Sequence, residues 1–209
     1  MRGIVNTLKS RWKSIGALII LYYILKIVLA FTVAKFAGLW LIAEDPVGPA
    51  DLMVVLSPSS VAHRDIATDL YQNGLAKKIL IPDLTLDALD ADDPSEVEEP
   101  WVDVGAFSMA FPSGVVETLS PNNLEDLVRQ LTGYMVEHSL RSAIVLAPSE
   151  KTRRIKIILE EDTENTGFRF AMLPVAEGNY NPEEWYLSTH GIKIVVSEYF
   201  EVARVLLSD

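Results

Sequence analysis

Three polar clusters in this chain each follow an apolar run. Ser57, Ser59 and Ser60 follow the run at residues 51–56, with Arg64 a little further on. Glu117, Ser120, Asn122 and Glu125 follow Val115 and Val116, and Ser149, Lys151, Arg153 and Arg154 follow the run at 143–147. If the runs are strands of a doubly wound sheet, all three clusters fall at the carboxyl ends, where such sheets bind ligands. A helical pattern follows each cluster, so free backbone N–H groups and the positive end of a helix dipole face the same region. Arg64, Lys151 and Arg154 would make that region cationic, suited to a phosphate or carboxylate. A plainer reading competes at several positions. Ser120 and Ser149 are expected to cap helices, and Arg153, Arg154 and Lys156 to form a solvated face.

Other chemistry has little support. The chain has no cysteine, which excludes disulfides, thiolate metal sites and cysteine nucleophiles. His63 and His190 lack metal-ligand spacing, and His138 falls on the apolar side of a helical pattern, as a core histidine would. No Ser-His-Asp order, phosphate-binding loop, GxGxxG or HExxH is present. Asp90, Asp92, Asp93 and Glu96 are grouped like a calcium loop but lack its glycine and its alternation. No metal and no cofactor is expected.

Positioning those clusters requires an α/β frame. Residues 51–56, 78–81, 143–147 and 168–173 read as strands, with a short one at 115–116. Between them Ile66, Ala67, Leu70 and Tyr71 recur at helical spacing and stop at Asn73-Gly74, a helix C-terminal signal. Leu124, Leu127, Val128, Leu131, Tyr134 and Met135 mark a second helix, with Ser120-Pro121 as its expected start. Ile155, Ile158 and Leu159 mark a third, and residues 192–207 a fourth. This alternation predicts a three-layer Rossmann-like domain with a mostly parallel sheet of about five strands. An insert at 83–105 breaks the pattern: nine acids lie between Asp83 and Asp103, and a solvated loop is expected there.

Charge divides the chain. Residues 1–43 carry six basic residues and no acid, while the rest carries twelve basic residues and all 29 acids. From Ile15 to Ala43 only Lys26, Lys35 and Thr32 interrupt an apolar stretch, too long for the hydrophobic core of a signal peptide. Trp12 and Trp40 bracket it at roughly 42 Å along a helix, a bilayer with its interfaces. The expected organisation is a basic cytoplasmic tail at 1–14, a transmembrane helix at 15–43 and an extracytoplasmic domain at 44–209, with orientation from the positive-inside rule. Lys26 falls near mid-span. It either snorkels or meets a partner helix in the membrane. A domain this acidic is a poor ligand for nucleic acid.

The strand-end residues resemble the SanA/YdcF/ElyC-like envelope family. The opening Val54-Val55-Leu56-Ser57-Pro58-Ser59-Ser60 with Arg64 is similar to that family's first strand, loop and arginine. Glu117, Ser120, Asn122 and Glu125 match its central motif, with Asn123 and Asp126 as departures. Lys151 stands at a family histidine position and Arg154 at an arginine position, while Trp185 and Glu198-Tyr199 resemble its C-terminal landmarks. The resemblance implies a Rossmann-like domain behind a membrane anchor, with roles in envelope barrier or cell-wall precursor metabolism and a nucleotide-like ligand. Ser-Pro-Ser-Ser and Pro82-Asp83 replace the family's glycine loops, which implies an eroded site. The expected function is a non-catalytic accessory or assembly subunit of an envelope membrane complex. The alternative is an enzyme or binder acting on an anionic envelope precursor.

Overall fold

The structure is a computed structural model that describes residues 2–91, 97–164, 166–178 and 180–207, with side chains from Leu18 onward. The side chains of Arg2, Lys9, Arg11, Trp12 and Lys13 lie outside that description, as do Asp92, Asp93 and Glu96.

Five short strands form one all-parallel sheet: β1 (Leu52–Val55), β2 (Lys78–Pro82), β3 (Val116–Leu119), β4 (Ser142–Pro148) and β5 (Arg169–Val175), in the spatial order β3-β2-β1-β4-β5. The central strands β1 and β4 pair from Leu52 against Ala143 to Val55 against Leu146. Apart from Ser142 at the start of β4 they are apolar, because both faces of the sheet are covered. One face carries Leu52, Val54, Leu80 and Val145 against α5 (Leu124–Glu137) and α6 (Thr152–Thr163). The other carries Met53, Val55, Ile79 and Ile144 against α2 (Val61–Gln72) and the Phe107–Phe111 pair. The expected three layers and parallel strands are therefore present.

Helix ends follow local chemistry. Gly74 takes φ +72° and closes α2, with Leu75 N–H donating to the Leu70 carbonyl, the left-handed cap that glycine favours. The start of α5 differs from expectation. Asn123, not Ser120, is the cap, its side chain accepting from the Asp126 N–H at 2.8 Å. Ser149 does not cap α6 either. It opens a single 3-10 turn, and its hydroxyl bonds Glu150 at 3.1 Å.

The insert is built into the fold. It forms α3 (Leu86–Asp90) and α4 (Val104–Ser108), joined through a bridge between Leu84 and Trp101. Leu84, Leu86, Leu89, Val102 and Phe107 are buried. A solvated loop is not what these residues form: both short helices turn apolar side chains inward, and of the two acids of α3 Asp87 stays exposed while Asp90 turns toward Arg154.

The N-terminal helix α1 (Arg2–Trp40) contains a stretch, Leu18–Trp40, long and apolar enough to cross a membrane. It stops short of the expected 43, since Leu41 and Ala43 are buried in the domain. Its last carbonyls are met by the domain. Arg153 Nε donates to the Trp40 carbonyl at 3.0 Å and Nη2 to the Ile42 carbonyl at 3.3 Å, with the guanidinium 5.4 Å from the Trp40 ring centroid. A cation there satisfies orphan C=O groups and opposes the negative dipole end. Arg153 is thus no solvated surface residue. Trp185 Nε1 donates to the Ala34 carbonyl, Tyr180 to Gly38 and Tyr199 to Ala37. Lys35 pairs with Glu183 at 3.0 Å.

Gly38 makes this close approach feasible: a Cβ there would collide with the Pro182 carbonyl oxygen and sit 2.5 Å from Trp185 Cδ1. We predict that Gly38→Ala loosens the joint without unfolding the sheet. In detergent, limited proteolysis should cut near 41–50 at least several-fold faster than in wild type, while the domain keeps its far-ultraviolet circular dichroism. Unchanged cleavage would refute the clamp.

Candidate functional site

In this strand order the chain reverses direction beside β1, so the crevice lies between the carboxyl ends of β1 and β4. A cavity of about 1100 Å³ opens there, lined by Ser57 and Ser60 after β1, Pro148, Glu150 and Lys151 after β4, Glu177 and Gly178 after β5, and parts of the insert and α7 (Thr189–Leu207). Among the described residues, eight carboxylate side chains line it against one lysine. Its charge is therefore the reverse of the cationic site the sequence suggests.

The reason lies at the base of α6. Arg154 is 2% exposed and gives both terminal nitrogens to Asp90 at 2.7 Å, while Nε and Nη2 reach Glu198 at 3.1 and 3.2 Å. Lys151 Nζ bonds Asp87 and Asp90, each at 2.8 Å. The insert thus supplies, from within the chain, the carboxylates that an anionic ligand would otherwise offer. Burial alone would raise the Asp90 carboxyl, but Arg154 and Lys151 outweigh it and hold it below the usual range. Glu198 moves the other way. Burial pushes it up more than Arg154 pulls it down, since that guanidinium is already shared with Asp90 and the two carboxylates repel.

A second cluster was not singled out by sequence. His63, wholly buried on α2, places Nδ1 2.7 Å from Glu177 Oε1. The angles do not make an aligned hydrogen bond, and His63 Nε2 has no hydrogen-bond partner. Burial favours the neutral Glu177 carboxyl, yet His63 and the hydroxyls of Ser57 and Ser60 hold it below its ordinary value. Glu150 nearby is pushed up by burial. The Glu177 carboxylate thus faces both the histidine and the two serine hydroxyls. Nothing in the sequence spacing links residues 63 and 177. His138, expected in the core, is exposed and stacks on Tyr134.

The other sequence candidates disperse. Asn122 and Glu125 line a smaller cavity of about 260 Å³ on the far side of the Arg154–Asp90 pair. Asn122 is tied to Asp126 through both its backbone and side-chain nitrogens. Ser59 and Ser120 are exposed. Arg64 is half-buried and borders neither cavity, with no ion pair among the described residues. Glu117 reaches back to Lys78 at 2.7 Å, beside Tyr134, away from the strand carboxyl ends. Only Lys151 and Arg154 of the proposed cations meet. Among the described residues no group of three or more His, Asp or Glu side chains could hold a metal ion. Among the described residues no acid pairs with Lys26; its ammonium lies 5.1 Å from the Tyr22 ring centroid, one turn back along its own helix.

Comparison with protein-family models, with curated proteins and with solved structures finds no match for this chain.

Asp90→Asn removes one partner of a buried pair and leaves Arg154 undercompensated, a loss of about 3–5 kcal/mol. Because the folded Asp90 carboxyl lies below its unfolded value, its contribution is present above the unfolded value near pH 4 and is lost as pH falls through the lower folded one. The wild-type melting temperature should therefore drop steeply below about pH 4, and the variant should be less stable at neutral pH with a flatter acid limb. Equal slopes in thermal melts would remove Asp90 from this role.

Proposed function

We propose that this chain is a membrane-anchored, non-catalytic α/β domain that serves as an accessory or assembly subunit of an envelope membrane complex, as a degenerate member of the SanA/YdcF/ElyC-like family. The observation that carries this reading is the internal neutralisation of Lys151 and Arg154 by Asp87, Asp90 and Glu198. A phosphate entering the crevice would have to displace carboxylates held at hydrogen-bond distance and then face the remaining acids, an unfavourable exchange in a half-buried site. The crevice suits a cationic surface better than an anionic metabolite, and electrostatic complementarity of that kind favours assembly with a partner protein.

By the positive-inside rule the basic N-terminal tail favours an N-terminus in the cytoplasm and a domain on the periplasmic or extracytoplasmic side of the inner membrane. The joint at Arg153, Trp185 and Tyr199 supports the assembly reading, since it fixes the attitude of the domain to its anchor. Lys26 supports a helix partner in the bilayer, where an unpaired ammonium costs about 3 kcal/mol.

Two measurements test the reading. In a thermal-shift screen of the full chain in detergent, inorganic phosphate, nucleotides and polyprenyl phosphates should each leave the melting temperature within about a degree. A shift of several degrees that Arg154→Ala abolishes would establish the anionic-ligand alternative. In membranes, crosslinking followed by mild-detergent purification should recover defined partners, and Lys26→Leu should lower their yield several-fold without reducing insertion.

A further inference from the structure

The exposed apolar side chains of the domain are not scattered over α7. At 100° per residue, Ile192, Val196, Tyr199, Phe200, Ala203, Leu206 and Leu207 form one stripe, set to the side of the buried row Gly191, Val195, Val202 and Val205. Phe200 is 72% exposed, and Leu187, in the 3-10 turn Trp185–Leu187 just before the helix, 69%. A monomer in water has no reason to display such a band.

The joint with α1 fixes where this band lies. The Tyr186 ring packs edge-on against Phe31 at 5.5 Å, and Trp185 donates to the Ala34 carbonyl. These contacts lie roughly 9–14 Å below Trp40 along the helix axis, inside the stretch that is apolar enough to cross a membrane. Tyr199, further along α7, meets α1 higher up, stacking on Trp40 at 5.4 Å. So α7 starts beside the apolar part of α1 and rises from there. The Lys35–Glu183 ion pair lies at the same joint and belongs at the headgroup level, which sets the hydrocarbon edge just below it. Trp185 and Tyr186 then take the interfacial position that tryptophan and tyrosine favour.

We infer that the turn Trp185–Leu187 and the first half of the α7 stripe form a second membrane contact, seated in the interface of the leaflet that α1 leaves. The occupant is lipid, because the stripe is continuous with the apolar surface of α1 and begins below the expected hydrocarbon edge. Exposed Lys193, alongside Val196 and Phe200 on the helix, suits the phosphate level. The contact rests on the anchoring reading of α1, and it holds the domain against the bilayer instead of on a free stalk.

The chain has no cysteine, so single-cysteine spin labels can be placed without background. Tyr23→Cys, Leu187→Cys, Ile192→Cys, Phe200→Cys and Met109→Cys would be labelled in the full chain. The proteins would be reconstituted in nanodiscs of phosphatidylcholine with phosphatidylglycerol and compared for collision with oxygen and with a water-soluble nickel chelate. Leu187 and Ile192 should favour oxygen several-fold over nickel, as Tyr23 does in the span, with Phe200 intermediate. Met109, 88% exposed on α4's far end, should favour nickel. Nickel-favoured collision at Leu187 and Ile192, with Tyr23 still in lipid, would overturn the inference and leave anchoring intact. Nickel-favoured collision at Tyr23 would remove the anchor and the inference together. Low collision with both reagents at Leu187 and Ile192 would mean a protein cover and would equally overturn it, a second copy being identified by sharpening of the spectra on dilution with unlabelled chain.

Discussion

A guanidinium enclosed as fully as that of Arg154 has to be met by carboxylates, or the fold would carry an uncompensated charge. Here two elements far apart in the chain meet it: Asp90 from the insert and Glu198 from the last helix. The contact therefore joins α3, α6 and α7 over the carboxyl end of the sheet. Such a network adds little to stability compared with an apolar substitute. What it does is fix which face of the insert turns inward and keep the acids of α3 beside the crevice. The neighbouring Arg153 does the same outward, toward α1. Two consecutive arginines at the start of α6 thus point in different directions, one paired with carboxylates beside the crevice and the other tying the end of α1 to the domain.

The end of α1 illustrates why that second contact matters. A helix leaving a bilayer presents unsatisfied carbonyls that water can meet only once they clear the hydrocarbon. Here Arg153, Trp185, Tyr180 and Tyr199 each donate to a carbonyl between Ala34 and Ile42. Gly191 lets α7 pass close to the backbone of Trp185, with no room there for a side chain. The joint is therefore specified by donors, by aromatic stacking and by the absence of two side chains.

Much of the frame was legible in the sequence, because buried parallel strands read as valine- and isoleucine-rich runs and amphipathic helices keep their period. What escaped was set by tertiary contacts. α3 and α4 are five residues each, too short for a periodic signal, so the acids of the insert hid its buried leucines. Ser120 and Asn123 are both plausible caps, and only the path of the chain after β3 selects the second. His138 is the C-cap just past the end of α5, where the apolar face has run out after Met135 and the ring is left in solvent. His63 is buried because α2 turns it toward Glu177, a residue more than a hundred positions away. For the same reason the sequence placed Lys151 and Arg154 together at a strand end but could not reveal that Asp87, Asp90 and Glu198 neutralise them.

The crevice and the apolar stripe share α7, and helix geometry keeps them apart. Ile194, Ser197, Glu198 and Glu201 line the crevice, and at 100° per residue their mean direction lies roughly 170° from that of the stripe. If the stripe meets lipid, the carboxylates on the other side of the same helix face away from the bilayer. That arrangement avoids two costs at once: acids held against anionic headgroups, which would repel the domain, and leucine and phenylalanine side chains left in water. It also restricts what can reach the crevice. Tyr180 lines it and bonds the end of α1, so its near wall is part of the joint itself. A partner that fills it must approach along the membrane surface from the aqueous side and present positive charge.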